Sequence, residues 1–135
     1  MAGNAARVRD SVDDWNAGGL RALSEGWWAD DIVWHDWPEL PDPVTVRGRE
    51  AVEARIEKMV SAMGNWRFVI KELEEHGEFT LSELELVGRA TISGAAFNGT
   101  IHQIIRWRAG EVAEVFTYSG RDEAGTALGE LAGSG

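Results

Sequence analysis

The chain has 135 residues, 44% hydrophobic and 27% charged, the proportions of one globular domain with a single core, which excludes a disordered or fibrous chain. Its 13 Lys and Arg against 23 Asp and Glu give a formal charge of −10, which excludes nucleic acid and anionic membrane surfaces as main partners. Cysteine is absent, which removes disulfides, thiolate catalysis and the common structural zinc sites.

From Asn4, an expected N-cap, the residues Ala5, Val8, Val12 and Trp15 recur at helical spacing until Asn16-Ala17-Gly18-Gly19. Leu20, Leu23 and Trp27 predict a short second helix, broken by Asp30-Asp31 before a strand over 32–37. Pro38, Pro41 and Pro43 turn the chain, and residues 44–47 form a short extended piece ending at Gly48. A third helix follows, with Val52, Ile56, Met59, Val60 and Met63 as its apolar face and Gly64-Asn65 as its stop.

Beyond it the period changes. Residues 66–75, 79–92, 97–108 and 112–119 form four extended stretches separated by His76-Gly77, Ser93-Gly94 and Ala109-Gly110, a meander of hairpins with strands long enough for a curved antiparallel sheet. The expected organisation is one domain over 1–135, packed from about 4 to 122, with 123–135 a flexible tail that starts as a short helix and frays. Helices before a long sheet is the α+β layout, and helices laid into a curved sheet leave one end open as a small-molecule pocket. No apolar run is long enough for a membrane span and MAGNAARVRDSVDD holds no signal core, so a cytoplasmic location is expected.

Seven tryptophans, at 15, 27, 28, 34, 37, 66 and 107, either fill the core or line an apolar cavity. Strand alternation puts Ile32, Trp34 and Asp36 on one face and Val33, His35 and Trp37 on the other. Against indole and aliphatic walls Asp36 is desolvated, which would raise its pKa toward that of a general base or acid. Alternatively it hydrogen-bonds the proline loop. His35 faces away from Asp36, as a hydrogen-bonded partner of loop or helix backbone or as a pocket-rim group. Phe97, Ile101, Ile105 and Trp107 share a face with Gln103, the one large polar group of that stripe, which must be paired or wait for a ligand oxygen. His102 and Arg106 fall on the opposite face. Three histidines without a ligand spacing do not make a metal site.

The segment WNAGGLRALSEGWWADDIVWHDWPELPDPVTVRGREAVEARI, with the later IIRWRAGEVAEVFTYS, resembles the NTF2-like superfamily in its SnoaL-like and ketosteroid-isomerase-like branch, over about Val8 to Asp122. The resemblance implies an NTF2-like (cystatin-like) α+β cone, three N-terminal helices packed on a strongly curved mixed or antiparallel sheet. It matches Asp36 to the aspartate that moves the proton in ketosteroid isomerases. Their oxyanion tyrosine and its protonated acid partner would fall near Ser11 and near Gln103, and both have changed. The base of SnoaL-type cyclases falls at Thr117, and the resemblance turns Thr117 into the pocket. The Arg-x-Asp arrangement of limonene-epoxide-hydrolase-like enzymes is absent around Arg89-Ala90-Thr91.

The expected site is therefore an apolar pocket walled by Trp15, Trp34, Leu84, Leu86, Ile105 and Trp107, with Asp36 and Gln103 catalytic and Ser11 and Thr117 as further ligand contacts. Two functions remain open. One is a cofactor-independent isomerase, cyclase or lyase acting on a polyketide-, steroid- or terpenoid-like molecule, with Asp36 shuttling a proton. The other is a non-catalytic ligand-binding or dimerisation module. Two strands this long cannot bury both faces in one small domain, so the face bearing Glu83, Glu85, His102, Ile104 and Arg106 is expected to meet a second copy.

Overall fold

The computed structural model describes residues 3–64, 66–90 and 93–133; Asn65, Thr91, Ile92 and the Phe97 side chain, on which expectations were placed, lie outside them. Its elements are α1 (Asn4–Trp27), β1 (Trp28–His35), β2 (Thr45–Arg47), α2 (Arg49–Met63), β3 (Trp66–His76), β4 (Phe79–Arg89), β5 (Ala96–Arg108), β6 (Glu111–Tyr118) and α3 (Arg121–Gly133). The strands form one sheet in the order β2-β1-β6-β5-β4-β3. β3 to β6 run as the antiparallel meander that period two predicts, and β6 then pairs parallel with β1. This is the expected α+β class with a mixed sheet.

The two expected N-terminal helices are both present and meet within α1 at a kink at Gly19, whose non-helical φ of 76° only glycine adopts freely. Asn4 is not its cap but its first helical residue. The free N–H of Ala5 is instead taken by the carboxylate of Glu75, reaching from the end of β3 (2.8 Å). β1 starts four residues before the expected Ile32. Trp28 and Ala29 are buried, and Asp30 and Asp31 form an exposed irregularity paired with Arg49 and Arg108 rather than a break.

β3 is an edge strand, and α1 lies along it. Asn16 donates from Nδ2 to the Phe68 carbonyl (2.9 Å) and accepts the Phe68 N–H on Oδ1 (2.8 Å), while Trp15 Nε1 donates to the Trp66 carbonyl (2.9 Å). A side-chain amide thus stands where a neighbouring strand would pair. Asn16→Ala is expected to lower stability by about 1–2 kcal/mol and to make the protein more prone to associate through this edge. Chemical denaturation and light scattering check both.

The helices do not all lie on one face. α1 and α2 bury Val8, Trp15, Val52 and Ile56 against Ile32, Trp34, Ile105, Val112 and Val115. α3 packs Ala124 and Leu128 on the other face, against Phe79, Leu81 and Ile104. The flexible tail expected over 123–135 is therefore corrected through Gly133. Gly125 and Gly129 each weaken the helix interior by about 1 kcal/mol relative to alanine, and packing on the sheet outweighs that. Ile104, assigned to a second copy, is fully buried under α3. A dimer through this face would have to use what α3 leaves, around the partly exposed Glu83 and Glu85.

Candidate functional site

Between the inner face of the sheet and α1 and α2 lies a cavity with about 80 Å³ of open space. Five tryptophans line it, Trp15, Trp28, Trp34, Trp37 and Trp66, with Phe68, Met59, Met63 and a set of aliphatic residues. Among the described residues its polar lining is Ser11, Gln103 and Thr117, with no ionisable side chain. The expected residues Ser11, Trp15, Trp34, Leu84, Leu86, Gln103, Ile105 and Thr117 all reach it.

Two expected members do not. Trp107 is buried in the core beyond the lining, with Nε1 donating to Thr80 Oγ1 (3.0 Å) and its ring edge-on to Trp27. Asp36 lies outside the cavity, in a groove with His35, Pro38, Pro43, Val44, Thr45, Phe116, Thr117 and Tyr118. The expected convergence of Asp36 and Gln103 on one spot is therefore absent; among the described residues Thr117 alone borders both spaces.

The Asp36 carboxylate is fully buried and accepts four hydrogen bonds: from Trp34 Nε1 (3.0 Å), Val44 N–H (3.1 Å), Arg55 Nε (3.1 Å) and Arg55 Nη2 (2.6 Å). Its own N–H donates to the Val44 carbonyl (3.1 Å), which closes the neck of the proline loop. Burial pushes this carboxyl upward, but the hydrogen bonds from Arg55, Val44 and Trp34 and the Arg55 charge outweigh it and hold Asp36 below the ordinary aspartate value. The raised pKa expected from desolvation is thus corrected. The alternative, in which Asp36 ties down the proline loop, is what the structure shows.

Sequence reasoning missed Arg55 and Trp37. Arg55 sits between Val52 and Ile56 on the face of α2 turned to the sheet, and a lone arginine in that position was the available signal. Trp37 was assigned to the outer face by alternation, but β1 ends at His35 and the loop swings Trp37 to the cavity. His35 does lie on the outer face: its ring stacks on Phe116 (centroids 4.3 Å apart), with Nε2 2.5 Å from Glu114 Oε2 and Nδ1 3.1 Å from Thr45 Oγ1. Its partners are side chains rather than the expected backbone. Among the described residues no cluster of His, Asp and Glu could hold a metal ion, and no helix is long and apolar enough to cross a membrane.

The SnoaL-like domain model matches residues 8–115, four fifths of the chain and nearly every element that frames the cavity. The chain belongs to the SnoaL-like domain family. No curated protein matches it. Solved structures share the fold. An NTF2-like protein of unknown function from Burkholderia pseudomallei is 20% identical, with 91% of this chain and 95% of that one covered and a TM-score of 0.73. TerC, co-crystallised with polyporic acid, is 15% identical over 96% and 97% at 0.72. A protein with a ketosteroid isomerase-like fold from Catenulispora acidiphila, in complex with trimethylamine, is 19% identical over 85% and 92% at 0.65. This SnoaL-like chain thus has the NTF2-like fold expected from its sequence.

Proposed function

We propose that this SnoaL-like domain binds a compact apolar organic molecule in the tryptophan-lined cavity, oriented by Gln103 and Thr117. The observation that carries this reading is the lining itself, which among the described residues is all apolar but for three neutral polar side chains. Apolar contact supplies affinity in such a site, and a few polar groups set orientation. Two of the structural relatives were solved with small organic molecules, polyporic acid and trimethylamine, which supports a small-molecule occupant.

Cyclohexane, a probe without polar atoms, is expected to shift the indole N–H resonances of the five lining tryptophans saturably, and those of Trp27 and Trp107 much less. Ile101→Phe, which puts a ring into the cavity, is expected to abolish that shift. A probe that moves all seven resonances alike, or none, overturns the reading.

A second reading keeps the acid–base enzyme of the isomerase, cyclase or lyase type, on a polyketide-, steroid- or terpenoid-like substrate. It is favoured by Thr117, which borders both the cavity and the Asp36 groove, so that a ligand extending past Thr117 approaches the carboxylate. Asp36 would then shuttle its proton only after Arg55 lets go, since an aspartate held this firmly ionised is a weak base. The same ligand binding unchanged to Asp36→Asn, with turnover lost, would establish it.

A further inference from the structure

The inner face of the sheet, beneath and beside the cavity, carries a row of polar side chains that no alternation pattern announces. Ser82 on β4 stands directly opposite Gln103 on β5, and Gln103 directly opposite Thr117 on β6. Residues so paired project from the same face of a sheet with their Cβ atoms about 5 Å apart, and Gln103 and Thr117 both line the cavity. Ser82 therefore belongs to the inner face.

The row leaves its hydrogen-bonding capacity largely unused. Ser82 is fully buried and its Oγ has no partner among the described residues. Gln103 makes one side-chain hydrogen bond there, from Nε2 to Thr117 Oγ1 at 3.5 Å, the outer limit for such a bond. A buried hydroxyl without a partner costs stability, and its persistence calls for a reason. The reason is at hand in the neighbouring amide, which has an acceptor and two donors to distribute between two hydroxyls and whatever enters the cavity.

Building on the proposed ligand-binding cavity, we propose that Ser82 is a positioning residue for Gln103 and that the row selects an apolar ligand carrying an acceptor-only oxygen, such as a ketone. With the ligand bound, the Ser82 hydroxyl donates to Gln103 Oε1. That fixes the amide plane, aims Nε2–H at the ligand oxygen and leaves Thr117 beside it. Every polar atom of the row then has a partner. A ligand without an acceptor leaves the row as it is and gains only apolar contact. Ligand polarity is thus set by a residue that never touches the ligand.

Cyclohexanone and cyclohexane share one ring and differ at the oxygen, so their affinities, followed by the same indole resonances, isolate the contribution of the row. The wild-type chain is expected to prefer cyclohexanone by about three- to tenfold, the range of one net hydrogen bond. Ser82→Ala is expected to erase most of that preference while leaving cyclohexane affinity unchanged, and to raise the melting temperature of the empty protein by removing the unpartnered hydroxyl. Gln103→Leu is expected to erase the preference fully. A merely structural Ser82 would weaken both probes and lower the melting temperature. An unchanged preference in Ser82→Ala, or equal affinities in the wild-type chain, overturns the role of the row and leaves the cavity reading intact. Failure of both probes to bind overturns both.

Discussion

Asp36→Ala is expected to lower the stability of the domain by about 2–4 kcal/mol at neutral pH. The substitution strands the Arg55 guanidinium, and it frees Trp34 Nε1 and the Val44 N–H at the neck of the proline loop. Arg55 keeps about 30% of its side chain in solvent, so water screens part of the loss and the upper end of the range is a ceiling. The loop should loosen together with Trp37, and cavity ligands should bind less tightly as a result. The pH dependence has a definite sign. The carboxyl is held below its ordinary value in the folded chain, so its contribution is complete above the ordinary aspartate range and is lost as pH falls through the lowered value. Denaturation curves from pH 7 downward should show the wild-type advantage shrinking in acid, with Asp36→Ala lacking that step. A variant as stable as wild type at pH 7 would sink this account of the loop.

Trp107→Ala is expected to cost about 3–5 kcal/mol, the usual range for removing a buried indole. It empties a site packed against Trp27 and leaves the hydroxyl of the fully buried Thr80 without its donor. Because Trp107 does not line the cavity, the folded fraction should bind cyclohexane as wild type does. That contrast separates core from site. Trp34→Ala, by comparison, removes both a wall and a partner of Asp36, so stability and binding should fall together. Unfolding curves combined with probe titration under stabilising conditions test the distinction; probe binding lost in Trp107→Ala would place this indole in the site after all.

The second half of the chain was legible because its signals are local. Alternation from Trp66 onward and the turns at His76-Gly77 and Ala109-Gly110 fix the strands within a few residues, and Gly110 with Ala109 adopts the positive φ values that such a tight turn requires. Eight residues of the cavity lining follow from helical spacing, strand alternation and the family resemblance. What stayed hidden depends on contacts between distant elements. Asp36 was placed by the residues beside it, but its protonation is governed by Arg55 from another element. Trp37 obeys the pleat only as far as the strand runs. A helix containing three glycines carries little signal of its own, so α3 could not be told from a fraying end without the apolar strip it covers. Ser82 sits in an alternating run where a serine looks unremarkable until the residue opposite it is known to be Gln103.

The packing of α3 bears on how the protein is handled. One short connection, Ser119-Gly120, joins this helix to the sheet it shields, and its first residue, Arg121, holds Glu72 and Glu74 of β3. Arg121 is also a point at which trypsin cuts, with about half of its side chain in solvent. One nick there would leave the shield attached by noncovalent contacts alone. Its departure would bare Phe79, Leu81, Ile104, Phe116 and Tyr118 together, a contiguous greasy surface of the kind that precipitates. A preparation that clouds on storage while its mass drops by a short C-terminal peptide would be showing this event, and a purification tag is better carried at the N-terminus.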